Sequence, residues 1–149
     1  FHAQRKLRIV IQVNRSMLDD CGGDPASLCQ ALERYDGVMT DILLDMSGGC
    51  GEPFNFKHVA PIIQKLYLGT DDVAGFGNRC NIGVAGGIDH GKVVELKSLF
   101  QLFPNLSTDA EGRIRDVLID KDEDGKVVKK TERLSELARY YLRNAFGIL

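Results

Sequence analysis

The sequence has 149 residues, enough for one domain with a sizeable hydrophobic core but too few for a complete (β/α)8 barrel of about 250 residues. Its 19 basic and 21 acidic side chains give a formal net charge of −2, which argues against binding to nucleic acid or a membrane surface through bulk charge. Hydrophobic residues make up 44% and charged residues 27%, proportions typical of globular proteins. We therefore predict a single domain over residues 1–149.

The cysteines predict neither a zinc site nor a disulfide framework. They include no Cys-x-x-Cys pair, and a chain of this length and apolar content needs no disulfide staples. We expect reduced thiols in a cytoplasmic protein, with no resident metal or cofactor. We also expect no membrane-spanning helix, because no apolar run approaches about 18 residues, and no signal peptide. The four cysteines are Cys21, Cys29, Cys50 and Cys80.

The first third of the sequence predicts a strand, a helix and a second strand. Residues 7–14 are rich in β-branched side chains and predict a strand, which a Gly-Gly loop follows. Asp24 as N-cap and Pro25 at the first helical position predict a helix start, and Gly37 predicts its stop. The run Asp41–Asp45 has three consecutive apolar residues between its two aspartates, which predicts a strand buried on both faces.

The middle third repeats this order. A loop with three glycines occupies residues 48–51. The apolar spacing then predicts a helix that begins near Val59 or Pro61 and ends at Leu68. A third strand is predicted over residues 80–85, and it closes on a Gly-Gly pair.

The last third predicts a helix, a short strand, a hairpin and a final helix. Asp89 can cap the first of these helices, and Pro104 ends it. Residues 106–109 form a weaker fourth strand. Asp124-Gly125 between two extended runs indicates a β-hairpin turn, and the last amphipathic helix is predicted from Thr131 to about Phe146.

Strands that alternate with helices predict an α/β fold with a parallel sheet and right-handed crossovers. In such folds the carboxyl ends of the strands meet at one edge of the sheet, where ligands bind. Glycines and polar side chains collect at these positions, which is the main functional signal of the sequence. The candidates are Gln12, Asn14, Asp45, Gly48, Gly49, Gly86, Gly87, Asp109 and Gly112.

Three motifs together resemble one known family. Leu43-Leu44-Asp45 precedes Gly48-Gly49-Cys50-Gly51 and Phe54-Asn55-Phe56. This order is similar to the L-L-D, G-G-T-G and F-(D/N)-W of phosphoribosylanthranilate isomerase. Ala85-Gly86-Gly87-Ile88 resembles the A-G-G-L of that family, and Asp109-Ala110-Glu111-Gly112 stands where the family has D-V-S-S-G.

The resemblance, which covers about residues 7–149, implies the C-terminal half of a TIM (β/α)8 barrel. Family order makes the four βα units strands 5 to 8, with an inserted β-hairpin before the last helix. The implied partner is a small, phosphorylated ligand at the carboxyl ends of the strands. An open half-barrel exposes strand edges, so an N-terminal half, a second copy or another chain must close it.

The family catalyses an Amadori rearrangement of a phosphoribosylated amine, with a carboxylate at the end of strand 6 as general acid. Asp45 matches that position, and burial at a barrel mouth can tune such an acid. The family's general base is a cysteine on strand 1, which is not among the four strands of this sequence. Isomerase activity therefore needs the other half of the barrel.

The family's phosphate is held by backbone N–H groups of glycines after strands 7 and 8. Gly86 and Gly87 match the first of these loops, and Gly112 lies in the second. Glu111 replaces the serine pair of the second loop, and its carboxylate repels a phosphate unless Arg113 or Arg115 compensates the charge.

Structural roles compete with these functional ones. Asp45 can cap the glycine loop that follows it, and Gly86-Gly87 can form a tight turn that requires positive φ. For the whole chain two alternatives remain open. One is a self-contained, small doubly wound α/β enzyme domain, and the other is a non-catalytic barrel-derived scaffold or interaction module.

Overall fold

A computed structural model describes residues 7–47, 55–109 and 115–134. The strands are β1 (Val10–Asn14), β2 (Asp41–Asp45), β3 (Asn81–Ala85), β4 (Ser107–Thr108), β5 (Arg115–Lys121) and β6 (Val127–Leu134). The helices are α1 (Arg15–Asp20), α2 (Pro25–Glu33), α3 (Phe56–Leu68) and α4 (His90–Leu102), and a 3-10 turn covers Phe76–Asn78. Within the described part, no helix combines the length and apolarity needed to cross a bilayer.

The predicted α/β class with a parallel sheet is confirmed. Four parallel strands lie in the order β1-β2-β3-β4, so the order in space follows the order in sequence. The register aligns Asn14 with Asp45 and Asp45 with Ala85, and it aligns Val84 with Thr108. The carboxyl ends of the strands are therefore neighbours at one edge of the sheet.

One face of the sheet forms the hydrophobic core with the helices. Strand side chains alternate between faces, and this face carries Val13, Ile42, Leu44, Ile82 and Val84, all at most 1% exposed. Helix residues spaced three or four apart belong to the same core cluster, as an amphipathic helix requires. They are Leu28 and Leu32 of α2, Ile62, Ile63 and Leu66 of α3, and Leu96 and Leu99 of α4.

The opposite face of the sheet is less covered, which corrects the prediction that β2 is buried on both faces. Leu43 in the middle of β2 is only half-buried, and Gln12 of β1 and Asn81 of β3 are exposed on the same face. Strands in sequential order with crossovers of one hand place their helices on one side. The described helices can therefore bury only one face of β2.

Local capping explains where the first helices begin. Asp24 is the N-cap of α2, accepting from the Ser27 amide at 2.9 Å, and Pro25 is the first helical residue, as predicted. The helix α1 was not predicted; its first turn is capped by the Asn14 side chain. Predicting a start of α3 near Val59 or Pro61 was wrong, because Asn55 caps the helix earlier and leaves Pro61 inside it.

The predicted hairpin is confirmed, but its second strand is longer than expected. β5 and β6 pair antiparallel, and Gly125 has a φ of 78° at the turn. Thr131–Leu134 continues β6 and pairs with residues 115–118, so the final helix does not start at Thr131. The first four residues of that predicted helix pair their backbone N–H and C=O groups with β5 instead. Residues 135–149, where the rest of that predicted helix falls, lie outside the described residues.

Tyr67 of α3 combines a favourable ring contact with an unsatisfied hydroxyl. Its ring stacks on Phe103 with centroids 4.4 Å apart and an angle of 22° between the rings. The hydroxyl oxygen is buried and makes no hydrogen bond within the described residues, and burial raises the pKa of this phenol. A buried polar group without a partner costs free energy.

We therefore expect Tyr67→Phe to be as stable as the parent, or more stable by about 1 kcal/mol. Tyr67→Leu, which removes the ring contact as well, should lose about 2 kcal/mol. Urea unfolding at equilibrium measures both changes as shifts in midpoint at constant slope. A loss of more than 1 kcal/mol in Tyr67→Phe would show that the hydroxyl makes a stabilising hydrogen bond.

Candidate functional site

Asp45 stands at the carboxyl end of β2, the central position predicted for catalysis. It is half-buried, and the register places it between Asn14 of β1 and Ala85 of β3. Its side chain lies on the less covered face of the sheet, because it shares strand parity with Leu43. Asp45 is thus reachable from the side opposite the helices.

The Asp45 carboxylate is held by two neighbours. Gln12 of β1 donates from Nε2 to Asp45 Oδ2 at 3.1 Å. Ser47 donates to Asp45 Oδ1 twice, from its amide at 3.1 Å and from its hydroxyl at 2.7 Å. Gln12 reaches Asp45 because both side chains leave the same face of adjacent strands two register positions apart. The carboxylate is therefore oriented by a residue of β1 and by a residue of the turn that follows β2.

Gly86 lets the chain leave β3 directly beside this carboxylate. Its φ is +90°, in the region that favours glycine. A Cβ at this position would lie 2.5 Å from Asp45 Oδ1 and 2.6 Å from Ser47 Oγ. Gly87 has a φ of +62° as well. The turn predicted as an anion cradle thus packs its backbone against Asp45 and Ser47.

The beginning of α4 follows this turn within three residues. Asp89 caps the helix by accepting from the Lys92 amide at 3.0 Å, as predicted. The Asp89 carboxylate therefore already binds one amide of the first helical turn. An anion bound here would therefore use the amides of the Gly86-Gly87 turn rather than those at the start of α4.

Two further candidates lie at the same edge but have different surroundings. Asn14 Oδ1 accepts from the Met17 amide at 2.9 Å, so this side chain is committed to the start of α1. Asp109 follows β4, is exposed, and donates its amide to the Val84 carbonyl at 2.8 Å. The structure therefore brings Asp109 beside the end of β3, next to the Gly86 turn.

The remaining predicted site residues lie outside the described residues, as do Cys50 and the carboxylate predicted to oppose a phosphate. These residues are Gly48, Gly49, Gly112, Arg113, Cys50 and Glu111.

Ser47 is the site residue that the sequence analysis missed. The sequence pattern could have predicted this contact, because a serine two residues after an aspartate commonly donates back to it in an Asx-type turn. The pattern Asp45-Met46-Ser47 fits that turn, and the structure shows the contact.

A second polar cluster, also missed, fixes the amino ends of the strands. Asp41 of β2 is the buried charged residue of the described core. It accepts from Arg8, from Thr40 Oγ1 at 2.5 Å and from Asn81 Nδ2 at 3.1 Å. The hydrogen bond from Arg8, aided by those from Thr40 and Asn81, lowers the pKa of Asp41 to about 2. This cluster ties the segment that precedes β1 to β2 and β3, at the end opposite the candidate site.

Arg79 forms a third polar cluster, at the turn that precedes β3. Its guanidinium pairs with Glu33 at 3.3 Å and with Asp36 at 2.5 Å. It also donates to the Ala74 carbonyl at 2.6 Å and stands 4.6 Å from the centre of the Phe76 ring. These contacts fasten the turn to the end of α2, which is a structural role.

The described residues contain no group of three or more His, Cys, Asp or Glu side chains placed to hold a metal ion. Cys21, Cys29 and Cys80 are free thiols. Burial raises the pKa of Cys29 and of Cys80, so these two thiols are weak nucleophiles at neutral pH. The chemistry that the described strand ends offer is therefore that of Asp45 and its hydrogen-bonding neighbours.

No protein-family model, curated protein or solved structure matches this chain. The function is accordingly inferred from the residues at the strand ends.

Proposed function

We propose that this chain is the C-terminal half of a phosphoribosylanthranilate isomerase-like barrel that binds a small, phosphorylated ligand at the carboxyl ends of β1 to β4. Asp45 acts there as general acid or base, and the Gly86-Gly87 turn binds the phosphate. Gly48, Gly49, Gly112 and Arg113 complete the binding site in this proposal.

The strand order supports a barrel over a self-contained doubly wound domain. A doubly wound sheet reverses its strand order at a switch point, where its ligand binds. The four described parallel strands run β1-β2-β3-β4 without a reversal. Their helices contribute to one core on one face of the sheet, which is the arrangement of consecutive βα units in a barrel.

The observation that carries the proposal is the geometry around Asp45. Among the described residues Oδ1 accepts two hydrogen bonds from Ser47, and Oδ2 accepts one from Gln12. A carboxylate oxygen has two lone pairs, so Oδ2 retains capacity for a ligand hydroxyl. An oriented carboxylate that can still exchange a proton with a ligand is what general acid–base catalysis requires.

The edges of the sheet support the need for a second half. Within the described part of the chain, β1 and β4 each pair with a strand on one side only. Exposed strand edges promote association. In the proposal an N-terminal half, a second copy or another chain covers these edges and the less covered face, and it supplies the general base.

A non-catalytic scaffold is the alternative, and the contacts of Ser47 favour it specifically. An aspartate that accepts from the amide and hydroxyl two residues later can serve only to cap its loop. The two functions differ in whether the Gly86-Gly87 turn binds an anion.

Amide NMR with inorganic phosphate separates these two functions. We expect phosphate at millimolar concentration to shift the amide signals of Gly86 and Gly87, while chloride at equal ionic strength does not. Asp89→Asn, which keeps a capping side chain but removes a negative charge, should tighten phosphate binding about threefold. Absence of a phosphate-specific shift at the turn would support the scaffold and contradict the binding site.

A further inference from the structure

A groove on the helical layer, between α3 and α4, has no part in the proposed site. Its volume is about 570 Å³, and its α3 wall lies beside the fully buried stripe of that helix, with Phe56 and Ala60 packed against the edge of the core. Core residues of α3 include Ile62, Ile63 and Leu66, whereas the groove wall repeats every four residues. The lining consists of Phe56, Lys57, Ala60, Pro61, Gln64 and Leu68 of α3, with Ser98, Leu99, Leu102 and Phe103 at α4.

The groove exposes large apolar side chains at its borders. Leu68 is 66% exposed and Leu102 is 70% exposed. Single exposed leucines are ordinary on protein surfaces, but these two border one apolar cavity and so extend its apolar surface. A ligand in the groove would remove both from water.

The size of the groove favours a small molecule over a protein partner. Stable protein interfaces use about 20–30 residues on each side, whereas ten residues line this groove. Its volume of about 570 Å³ falls within the ~300–1,000 Å³ of small-molecule sites, which are mostly apolar with a few polar groups.

The charge of the groove favours an anionic group on that molecule. Lys57 is the charged residue of the lining, and within the described chain its ammonium has no ion pair. It lies in the first turn of α3, where no acidic residue opposes the positive end of the helix dipole. Glu95, the acidic residue of α4, is outside the lining and is paired with Lys92 at 2.7 Å.

We propose that the groove between α3 and α4 binds a small, apolar molecule carrying one anionic group, with that group at Lys57 and the apolar body between Leu68 and Leu102. This site is separate from the strand ends, since none of its lining residues belongs to the proposed phosphorylated-ligand site.

Lys57 and Leu68 lie about 16 Å apart along α3, so the probes must be elongated. Three straight-chain probes of one length and different charge test the proposal by amide NMR titration of the whole chain: decanoate, the uncharged 1-decanol and the cationic decylammonium. We expect shifts at Ala60, Gln64 and Leu99, with decanoate binding about fivefold tighter than the alcohol and the cation binding weakest. Equal affinities for the three probes, or shifts that do not map to the groove, would overturn the proposal.

Matched variants separate charge from apolar contact. Lys57→Gln should reduce decanoate affinity to that of the alcohol, whereas Lys97→Gln, at an exposed lysine outside the lining, should leave it unchanged. Leu102→Gln should weaken all three probes about fivefold, and Leu7→Gln, at an exposed leucine near β1, should not. If a variant and its control change the affinity equally, the proposal is contradicted. It is also contradicted if the parent chain is a dimer in solution and Leu102→Gln makes it a monomer, because a second copy would then occupy the groove.

Discussion

Gly86→Ala is expected to destabilise the domain by about 3 kcal/mol and to abolish phosphate binding at the turn. The methyl group meets two obstacles. The backbone φ of +90° is unfavourable for alanine, and the new Cβ would lie 2.5 Å from Asp45 Oδ1. Residues 45–47 must then move, so the hydrogen bonds that orient the carboxylate are lost together with the fold of the turn.

Gly37→Ala is the matched control for this variant. Gly37 also has a positive φ, +74°, but a Cβ there meets nothing within 4 Å. We expect it to cost about 1 kcal/mol from backbone strain alone and to leave phosphate binding intact. Urea unfolding and the phosphate titration measure both properties. If the two variants lose equal stability, the close packing of Gly86 against Asp45 does not exist in solution.

Asp41→Ala is expected to destabilise the domain by about 2–3 kcal/mol, the second large effect. The change removes the acceptor of Arg8 and of the Asn81 amide, while the Thr40 hydroxyl keeps only the Ile9 carbonyl, at 3.1 Å. The segment before β1 thereby loses its contact with the amino ends of β2 and β3. Urea unfolding at neutral pH measures the loss, and a change below about 1 kcal/mol would contradict the structural role of the cluster.

The same cluster predicts how stability depends on pH. The pKa of Asp41 is lowered from 3.8 to about 2 in the folded chain, so the folded state binds its proton less readily than the unfolded state. Its stabilisation is complete above about pH 4 and is lost as the pH falls towards 2. Arg8 is 69% exposed, and solvent screening therefore limits the loss to about 1–2 kcal/mol.

Asp41→Asn tests this pH dependence, because it keeps the shape of the side chain and removes the titration. We expect its unfolding free energy to fall less steeply than that of the parent between pH 4 and pH 2. Asp71→Asn, at an exposed loop carboxylate, controls for the change in net charge. Identical acid profiles for Asp41→Asn and the parent would mean that the Arg8 contact contributes nothing.

Elements with strong local signals could be predicted from the sequence. Asp24-Pro25 carries both a capping side chain and a proline of fixed φ, so the start of α2 is encoded in two adjacent residues. Asp41–Asp45 is a short apolar run between polar residues, and it forms β2 with the expected bounds. Asp124-Gly125 likewise predicted the hairpin turn locally, because Gly125 readily adopts the positive φ that the turn requires.

Elements that depend on distant partners could not be predicted. Thr131–Leu134 fits an amphipathic helix as well as a strand, and only the pairing with residues 115–118 decides for the strand. Arg8 and Asp41 are 33 positions apart, and nothing local in either residue indicates their contact. The helix α1 has six residues, too few for the periodicity on which helix prediction relies.

The sequence predicted which positions form the site. The contacts between its side chains depend on the register of the paired strands, which the sequence alone did not provide. Gln12 and Asp45 were each expected at a strand end, because parallel strands present these ends at one edge. Their hydrogen bond follows from the pairing of β1 with β2, which single-sequence patterns do not provide. The approach of Gly86 to Asp45 depends likewise on β3 lying next to β2.

The central claim is that Asp45 and the Gly86-Gly87 turn bind opposite parts of one phosphorylated ligand. Titration of the chain with ribose 5-phosphate, compared with inorganic phosphate, tests it most directly. We predict that ribose 5-phosphate binds at least tenfold tighter than phosphate, and that Asp45→Asn removes this difference but preserves phosphate binding. Equal binding of the two compounds by the parent, or an unchanged difference in Asp45→Asn, would contradict the account.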